Sequence, residues 1–243
     1  MIQLSKRLQA VADMVTKGNR VADIGCDHGY IAIYLIEAGR SPIVIAMDIN
    51  RGPLEHANEN IRKSGYTDKI LIRQSDGAKK LRSEEVDSVI CAGMGGRLTI
   101  HIIQEDLHKM FHMKELILQP QSEIHLVRRF LKESGFTIVS ESMIFEDGKY
   151  YPIMKAIPKD PDILDEQYDK DEISLYEYYG ECLLKQKDET LLQYLHWKEK
   201  ELDTITQQII HNSGSKSIGN RRLTELTNEK EQIKRALHYF KGE

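Results

Sequence analysis

The sequence has few prolines, a small and odd number of cysteines, and no long apolar run. With 6 prolines in 243 residues and 40% hydrophobic residues, it has the composition of a soluble globular protein. The three cysteines, Cys26, Cys91 and Cys182, lack metal-ligand spacing and favour a reducing cytoplasm. Because no apolar run approaches a membrane span and the first residues lack a signal peptide's apolar core, we predict a cytoplasmic protein without a membrane segment.

An excess of positive charge is also absent, since the formal net charge is −4. This total does not indicate a nucleic-acid-binding protein. The charge is uneven, however: residues 1–157 have a net charge of +1 and residues 158–243 a net charge of −5. Acidic residues are concentrated between Asp160 and Glu172, so the first part of the chain can still carry a basic face.

The most informative stretch is residues 21–30, Val-Ala-Asp-Ile-Gly-Cys-Asp-His-Gly-Tyr. Its short apolar run predicts a buried strand, and Gly25 and Gly29 bracket a turn before the helical pattern of residues 31–38. A strand that passes through such a turn into a helix presents backbone N–H groups and a helix N-terminus to a ligand. The glycines alone indicate only a nucleotide-like ligand.

The spacing from this turn to the next strand indicates the kind of ligand more closely. Residues 43–48 form a second apolar run that ends in Asp48, a carboxylate placed to accept hydrogen bonds from a ribose diol. The first turn also carries Asp23 and Asp27, which would repel a pyrophosphate and suit a ligand with a cationic amino-acid end. This pattern is typical of S-adenosylmethionine-dependent methyltransferases.

Apolar runs continue to alternate with helical patterns over residues 1–157. The predicted parallel strands cover residues 20–25, 43–48, 70–74, 86–91 and 115–118. Two further strands, 136–145 and 150–157, are joined by Glu-Asp-Gly-Lys, a hairpin signal. The pattern predicts an α/β fold, the Rossmann-like seven-strand class I methyltransferase domain, whose last strand runs antiparallel.

The pattern changes after residue 157. Residues 158–162 read as a linker, and apolar positions then recur in steps of three and four over 184–209 and again over 223–240. With a predicted turn at 211–220, this indicates a second domain, 158–243, that contains an antiparallel coiled-coil hairpin. The alternative is that the two helices pack on the first domain.

The ends of the first three strands carry the predicted cofactor contacts. Asp23 would accept from the cofactor's ammonium group, Asp48 would bind the ribose with support from Asn50, and Asp76 with Gly77 would contact the adenine. His28 is either a ligand contact or a helix-capping or exposed residue. The complete predicted set is Asp23, Gly25, Cys26, Asp27, His28, Gly29, Asp48, Ile49, Asn50, Asp76, Gly77 and Gly93.

The acceptor site is predicted after the fourth strand, at Ala-Gly-Met-Gly-Gly, residues 92–96. Amino-methyltransferases of adenine often carry Asn/Asp-Pro-Pro-aromatic there, and this sequence does not. Glycines would let a flat base approach the backbone, with Met94 as an apolar contact; the alternative is a tight turn under the sheet. Gln119 and Gln121 add amides that can read a base edge. The predicted catalytic set is Asp27, Gly93, Met94 and Gly95.

The sequence shows little sign of metal binding or of nucleophilic catalysis. His108 and His112 have a metal-binding spacing on a helix, but no carboxylate or cysteine pattern accompanies them, so we predict a solvated helix face and no metal. We find no Ser-His-Asp arrangement, and Cys26 and Cys91 read as small buried residues.

Four motifs together resemble one bacterial family, the tRNA (adenine(22)-N(1))-methyltransferases. They are Leu-Ser-Lys-Arg-Leu at 4–8, Asp-Ile-Gly-Cys-Asp-His-Gly at 23–29, Ala-Gly-Met-Gly-Gly at 92–96 and Gln-Pro-Gln at 119–121, and the C-terminal extension is also similar. The resemblance implies methyl transfer from S-adenosylmethionine to N1 of adenine 22, in the D-arm region of tRNA. The residues themselves indicate only a methyltransferase with room for a planar acceptor.

A tRNA substrate needs phosphate contacts near the cofactor edge. The predicted contacts there are Lys6, Arg7, Lys79, Lys80, Arg97, Arg128 and Arg129, in a monomeric enzyme. Around the turn of the helical hairpin, the predicted contacts are Lys216, Arg221 and Arg222. Two alternatives remain open. One is a small-molecule or protein methyltransferase that uses the coiled coil for dimerisation or docking, and the other is a cofactor-binding scaffold without activity.

Overall fold

The computed structural model describes residues 2–160, 168–212 and 216–241. The chain divides into two compact units, Met1–Glu166 and Gln167–Glu243. The boundary that the sequence predicts, after residue 157, falls close to this division and stays a prediction. Residues 161 and 162 of the predicted linker lie outside the described residues.

The first unit contains a seven-stranded sheet. Its strands are β1 (Val21–Ile24), β2 (Val44–Asp48), β3 (Ile70–Gln74), β4 (Ser88–Met94), β5 (Glu115–Pro120), β6 (Phe136–Glu146) and β7 (Lys149–Pro158). Their order is β3-β2-β1-β4-β5-β7-β6, and the first five strands are parallel. β7 is antiparallel to both of its neighbours, β5 and β6. This confirms the predicted seven-strand methyltransferase fold.

Local sequence signals account for most strand ends. The β6–β7 hairpin turns at Asp147 and Gly148, which have φ angles of 49° and 75°, as a two-residue turn of this type requires. β4 and β5 both run further than predicted, because Met94 pairs with Pro120 beyond an irregularity after Ala92. The predicted glycine turn therefore begins inside β4.

Helices cover both faces of this sheet. They are α1 (Lys6–Asp13), α2 (Tyr30–Glu37), α3 (Arg51–Ser64), α4 (Gly96–Glu105), α5 (Leu107–Met110) and α6 (Ile124–Glu133). Along β2, Val44 and Ala46 join the core on one face, while Ile45 and Met47 join the core on the other. Burial on both faces explains why the central strands read as continuous apolar runs. α1 begins after Ser5, whose Oγ accepts from the Leu8 amide at 3.3 Å.

The second unit is helical. It contains α7 (Lys170–Tyr179), α8 (Glu181–Lys185), α9 (Glu189–Asn212) and α10 (Lys216–His238). The predicted helix from Leu184 is wrong in one respect, because Lys187 has a φ of 55° and separates α8 from α9. Asp188 then caps α9, accepting from the Leu191 amide at 2.8 Å. The predicted turn at 211–220 is also too long, since α10 begins at Lys216.

Apolar side chains are buried along α9 and α10, including Leu195, Leu202, Leu226 and Ile233. Lys230 Nζ lies 2.7 Å from Asp203 Oδ1, so the two helices contact each other. The coiled-coil geometry of this pair stays a prediction. Among the residues that the structure describes, none of the helices is long and apolar enough to cross a membrane.

Candidate active site

A cavity of about 510 Å³ lies at the carboxyl ends of the parallel strands. Its walls come from residues 23–28 after β1, 48–50 after β2, 75–77 after β3 and 92–94 at the end of β4. This edge is where open α/β sheets bind ligands, because the loops that follow parallel strands converge there. All of the predicted cofactor residues line the cavity except Gly29.

The turn after β1 needs glycine at its first position. Gly25 has a φ of +76°, in the left-handed region, and a Cβ there would overlap the Met94 side chain. The amides of Gly25 and Cys26 donate to the Met47 carbonyl at 2.8 and 3.0 Å. These two N–H groups therefore hold the turn on β2, and contact with a ligand falls to the side chains of the turn.

Asp23 is the most unusual group in the cavity. Its side chain lines the cavity although the residue is only 2% exposed, and its Oδ2 has no hydrogen-bond partner among the described residues. Burial raises the pKa of this carboxyl to about 7, with a smaller contribution from the nearby charge of Asp48. A buried carboxylate oxygen without a partner is costly. It fits a cationic ligand group and opposes a phosphate.

Asp48 at the end of β2 is half-buried and oriented by its own turn. Its Oδ1 accepts from the Asn50 amide at 2.8 Å. Ile49 is exposed beside it, and the Ile49 carbonyl accepts from Gln74 at 3.0 Å. The turn thus presents a fixed carboxylate and an apolar side chain, which suit the ribose hydroxyls and the flat base of a nucleoside.

Asp76 and Gly77 form the third wall, after β3. The Asp76 carboxylate pairs with Lys79, whose hydrogen bond lowers the pKa of that carboxyl. Gly77 has a φ of +54°, and a Cβ there would lie 3.2 Å from Ile102 Cγ2. Glycine is therefore needed here because the turn packs closely on α4.

The second half of the first turn lies at the cavity rim. Asp27 has a φ of 48°, and its side chain is 72% exposed, 3.6 Å from His28 Nε2. His28 lines the cavity and packs near Tyr30, with 5.5 Å between ring centroids. It does not cap α2, whose N-cap is Gly29. Gly29 is not among the residues that line the cavity, and a Cβ there would meet Ala57, so its role as a cofactor contact stays a prediction.

The glycine motif at 92–96 divides into two parts. Gly93 and Met94 line the cavity, as predicted for an acceptor wall. Gly95 does not line it: this residue is the N-cap of α4, and a Cβ there would lie 3.2 Å from Ser122 Oγ. Gly96 is buried against the Ser122 carbonyl. Gly95 and Gly96 thus pack as the alternative of a tight turn expects, and the assignment of Gly95 to the acceptor site stays a prediction.

Gln119 and Gln121 also have different environments. Gln121 is exposed and lines the cavity, as a residue that reads a base edge must. Gln119 is fully buried, and its Oε1 accepts from Arg7 Nη1 at 2.7 Å and from the Gly93 amide at 3.2 Å. It cannot contact a base. The sequence predicts Arg7 near the cofactor edge as a phosphate contact, but it gives no local signal for the hydrogen bond to Gln119, because the two residues are 112 positions apart.

The predicted phosphate contacts are not equally accessible. Arg128 is buried, with 4% of its side chain exposed, and its Nε donates to Glu141 Oε1 at 2.8 Å. A buried arginine in an ion pair cannot reach a phosphate, so that prediction is wrong. Arg7 is half-buried and lines the cavity.

The remaining predicted phosphate contacts of the first unit are exposed. Lys79 pairs with Asp76, and Arg97 pairs with Glu123. Lys6, Lys80 and Arg129 are exposed.

In the helical unit, Arg222 is exposed and Nη1 lies 3.0 Å from Glu225 Oε2. Arg221, together with Lys216 in the same predicted contact region, has a side chain outside the described residues.

The structure offers no metal centre among its described residues, where no group of three metal-ligating side chains occurs. His108 and His112 are both exposed. Cys26 and Cys91 are buried, and burial raises the pKa of both thiols, so neither is a reactive thiolate.

Comparisons with known proteins identify the family. Residues 4–154 match the model of a methyltransferase domain. The tRNA (adenine(22)-N(1))-methyltransferase of Bacillus subtilis is 31% identical over 238 residues, which cover 98% of both chains. The crystal structure of the B. subtilis m1A22 tRNA methyltransferase TrmK has a TM-score of 0.83 at 30% identity, covering 98% of this chain and 100% of that one. M. capricolum TrmK, solved with S-adenosyl-homocysteine, has a TM-score of 0.80 at 26% identity, covering 99% and 100%. The chain belongs to the tRNA (adenine(22)-N(1))-methyltransferase family.

Proposed function

We propose that this protein transfers the methyl group of S-adenosylmethionine to N1 of adenine 22 in the D-arm region of tRNA. The similarity to the B. subtilis enzyme of that name spans nearly the whole of both chains, so it includes the helical unit as well as the sheet. The product of the same cofactor, S-adenosyl-homocysteine, is bound by M. capricolum TrmK.

The observation that carries the proposal is the unpaired, buried oxygen of Asp23 in the cavity. S-adenosylmethionine carries an ammonium group at its amino-acid end, and its sulfonium supplies an activated methyl group. An ammonium at Asp23 supplies the missing hydrogen-bond donor and stabilises the ionised carboxylate in its buried position. A phosphate in the same place would add a second negative charge.

The other walls have complementary roles. Asp48 accepts hydrogen bonds from the ribose hydroxyls, supported by Asn50, and the turn at Asp76 and Gly77 holds the adenine edge. Ile49 covers one side of the nucleoside. Cys26 and His28 complete the cavity near the amino-acid end.

The acceptor wall consists of Gly93, Met94 and Gln121. Gly93 has no side chain to block a flat base, and Met94 offers a polarizable apolar contact. Adenine N1 already has a lone pair, so holding it in line with the methyl group supplies most of the rate. Since N1 lies on the Watson–Crick edge, a paired target must first be unpaired or flipped out. The exposed carboxylate of Asp27 at the rim serves at most to accept a proton after transfer.

The tRNA is much larger than the cavity, so its phosphates need contacts outside it. The exposed side chains of Lys6, Lys80 and Arg129 are candidates, and Lys79, Arg97 and Arg222 can exchange their acidic partners for a phosphate. We further propose that the enzyme acts as a monomer in the cytoplasm.

The test is methyl incorporation into an unmodified tRNA transcript, with a matched transcript that has guanine at position 22. We expect label in the first transcript alone, released on digestion as N1-methyladenosine. Equal labelling of both transcripts would contradict the position. No labelling of either, with transfer to a small molecule or protein, would favour the alternative methyltransferase, and no transfer to any acceptor would indicate a cofactor-binding scaffold.

A further inference from the structure

The oxygen of one buried amide joins α1 to the acceptor wall. Gln119 Oε1 accepts from Arg7 Nη1 at 2.7 Å and from the Gly93 amide at 3.2 Å, while its Nε2 donates to the Pro120 carbonyl at 3.3 Å. Both neighbours of the oxygen are donors and the neighbour of the nitrogen is an acceptor, so the amide has one satisfactory orientation. Gln119 is 0% exposed and has no access to a ligand.

Arg7 lines the cavity and contacts Gln119 and Tyr151. Its Cζ lies 5.2 Å from the centre of the Tyr151 ring, and its hydrogen bonds among the described residues go to Gln119 alone. A Cβ on Gly93 would lie 3.8 Å from Arg7 Nη1 and also 3.8 Å from Gln121 Nε2. The guanidinium is therefore a direct neighbour of the acceptor wall, and among the described residues its only hydrogen-bond acceptor is Gln119.

We propose that Gln119 is a positioning residue that aims Arg7 at the phosphate of the nucleotide whose base enters the cavity. This inference rests on the proposed function, because it requires a nucleic-acid acceptor. It gives α1 a part in substrate binding and separates Gln119, which acts through Arg7, from Gln121, which lines the cavity itself.

A phosphate fits this guanidinium better than the base does. The planar fork of an arginine matches two phosphate oxygens and carries a permanent charge. The reactive edge of the adenine must keep the N1 lone pair free for methyl transfer, so a donor aimed at N1 would prevent the reaction. Fixing Arg7 before the substrate arrives also reduces the rotamer entropy that a long side chain loses on binding.

The effect of Gln119 passes mainly through Arg7. Gly93 is exposed, so water can take the place of Gln119 at its amide if the side chain changes. The Nε2 bond reaches only the adjacent Pro120. Water replaces the Arg7 contact poorly, because this contact holds a charged side chain of α1 against β5, 112 residues away in the chain.

A double-mutant cycle tests the proposal on the full chain. Gln119→Met keeps the side chain's approximate size but removes the acceptor, and Arg7→Ala removes the guanidinium. We expect kcat/KM for tRNA to fall about tenfold in Gln119→Met, mainly through KM, and at least as far in Arg7→Ala. The double variant should lie within about twofold of Arg7→Ala, since Gln119 has no guanidinium left to aim. Calorimetry should show S-adenosylmethionine affinity within about twofold of wild type in all three.

Salt dependence separates a phosphate contact from a base contact. For Arg7→Ala, the slope of log K for tRNA binding against log salt should become shallower by about 0.7 to 0.9, the value for one lost phosphate contact. Arg7→Lys keeps the charge and should restore the wild-type slope while recovering only part of kcat/KM. An unchanged slope in Arg7→Ala would overturn the phosphate assignment.

If the loss of kcat/KM in the double variant equals the product of the two single losses, Gln119 acts independently of Arg7, and this result would overturn its assignment as a positioning residue. Loss of cofactor binding in Gln119→Met would do the same, because it would indicate a structural role. Both results leave the proposed function intact as long as the wild-type protein forms N1-methyladenosine. A wild-type protein that transfers no methyl group to tRNA would overturn the proposed function and this inference together.

Discussion

The two units of this protein use charged side chains differently. In the first unit, Asp23 is buried at a cavity with an unpaired oxygen, and Asp48 and Arg7 line the same cavity. In the helical unit, several described basic side chains pair with acids of the same unit, among them Lys230 with Asp203, Lys198 with Glu201 and Arg235 with Asp171. The charged groups at the cavity can therefore meet a ligand, whereas the Lys230 and Arg235 pairs join one helix of the second unit to another.

This difference bears on stability as well as on function. The helical pairs are partly exposed, and such pairs contribute about 0–1 kcal/mol each, so the buried leucines and isoleucine of α9 and α10 hold the unit together. Asp23 instead lowers stability, because a buried carboxylate without a partner is disfavoured. A group that costs stability and lies in a cavity indicates a binding role. We therefore expect cofactor affinity to depend on the first unit alone and tRNA affinity on both.

The largest expected effect comes from Asp23→Asn. The amide cannot pair with an ammonium as a carboxylate does, so S-adenosylmethionine affinity should fall about 100-fold, or about 2.7 kcal/mol. The free energy of unfolding without cofactor should stay the same or rise above pH 7, because a buried charge is removed. Calorimetry and denaturant unfolding measure the two quantities. Asp13→Asn, on α1 and paired with Arg40, is the matched control and should not change cofactor affinity.

The second effect comes from the ribose contact. Asp48→Ala should weaken S-adenosylmethionine binding by about 1.5–3 kcal/mol, the range for hydrogen bonds that involve a charged group. The change is measured by calorimetry on a variant whose circular dichroism matches that of the wild type. Unchanged affinity in this folded variant would exclude Asp48 as the ribose anchor.

The strands of the first unit were predictable because their residues are buried on both faces and glycines mark their ends. The cavity followed from them, since the carboxyl ends of parallel strands share one edge. The sequence was a weaker guide where long-range packing decides. Arg128 is buried because Glu141 on the next strand supplies its partner, and the neighbouring residues Val127 and Leu131 already predicted a buried helix face. In the glycine motif, sequence gave no way to tell Gly93, which lines the cavity, from Gly95, which caps α4.

The helical unit was predictable in a coarser sense. Its apolar periodicity correctly indicated two long helices, because their buried positions recur every three or four residues. The same periodicity continues across Lys187 and hides the break between α8 and α9, which depends on a left-handed backbone angle at one residue. α7 carries a capping box at Asp169 and Glu172, a local signal that could have revealed this helix.

Removing the helical unit tests the comparison directly. We propose a domain boundary after residue 157. A chain that ends at Asp160 keeps β7 and the hydrogen bond that the Lys159 amide donates to the Gly135 carbonyl. It should bind S-adenosylmethionine as the full chain does and lose at least tenfold in tRNA methylation, about 1.4 kcal/mol. Calorimetry and methyl incorporation measure the two properties. Full tRNA activity in the shortened chain would contradict a substrate role for the helices, and loss of cofactor binding would show that they support the first unit.

The smallest expected effect is a pH dependence that belongs to the first unit. Asp23 has a pKa of about 7 in the folded protein and about 3.9 in an unfolded chain, so the folded protein binds the extra proton between these values. Its contribution to the free energy of unfolding is therefore full below about pH 4 and is lost as the pH rises through about 7. Cofactor binding has the opposite dependence, because an ammonium favours the ionised carboxylate. S-adenosylmethionine affinity should rise about tenfold from pH 5.5 to pH 7, and the Asp23→Asn variant should show a much flatter profile over the same range. Calorimetry in buffers of different ionisation enthalpy would show the released proton near pH 6 in the wild type. Equal pH profiles for the two proteins would mean that Asp23 is already ionised before the cofactor binds.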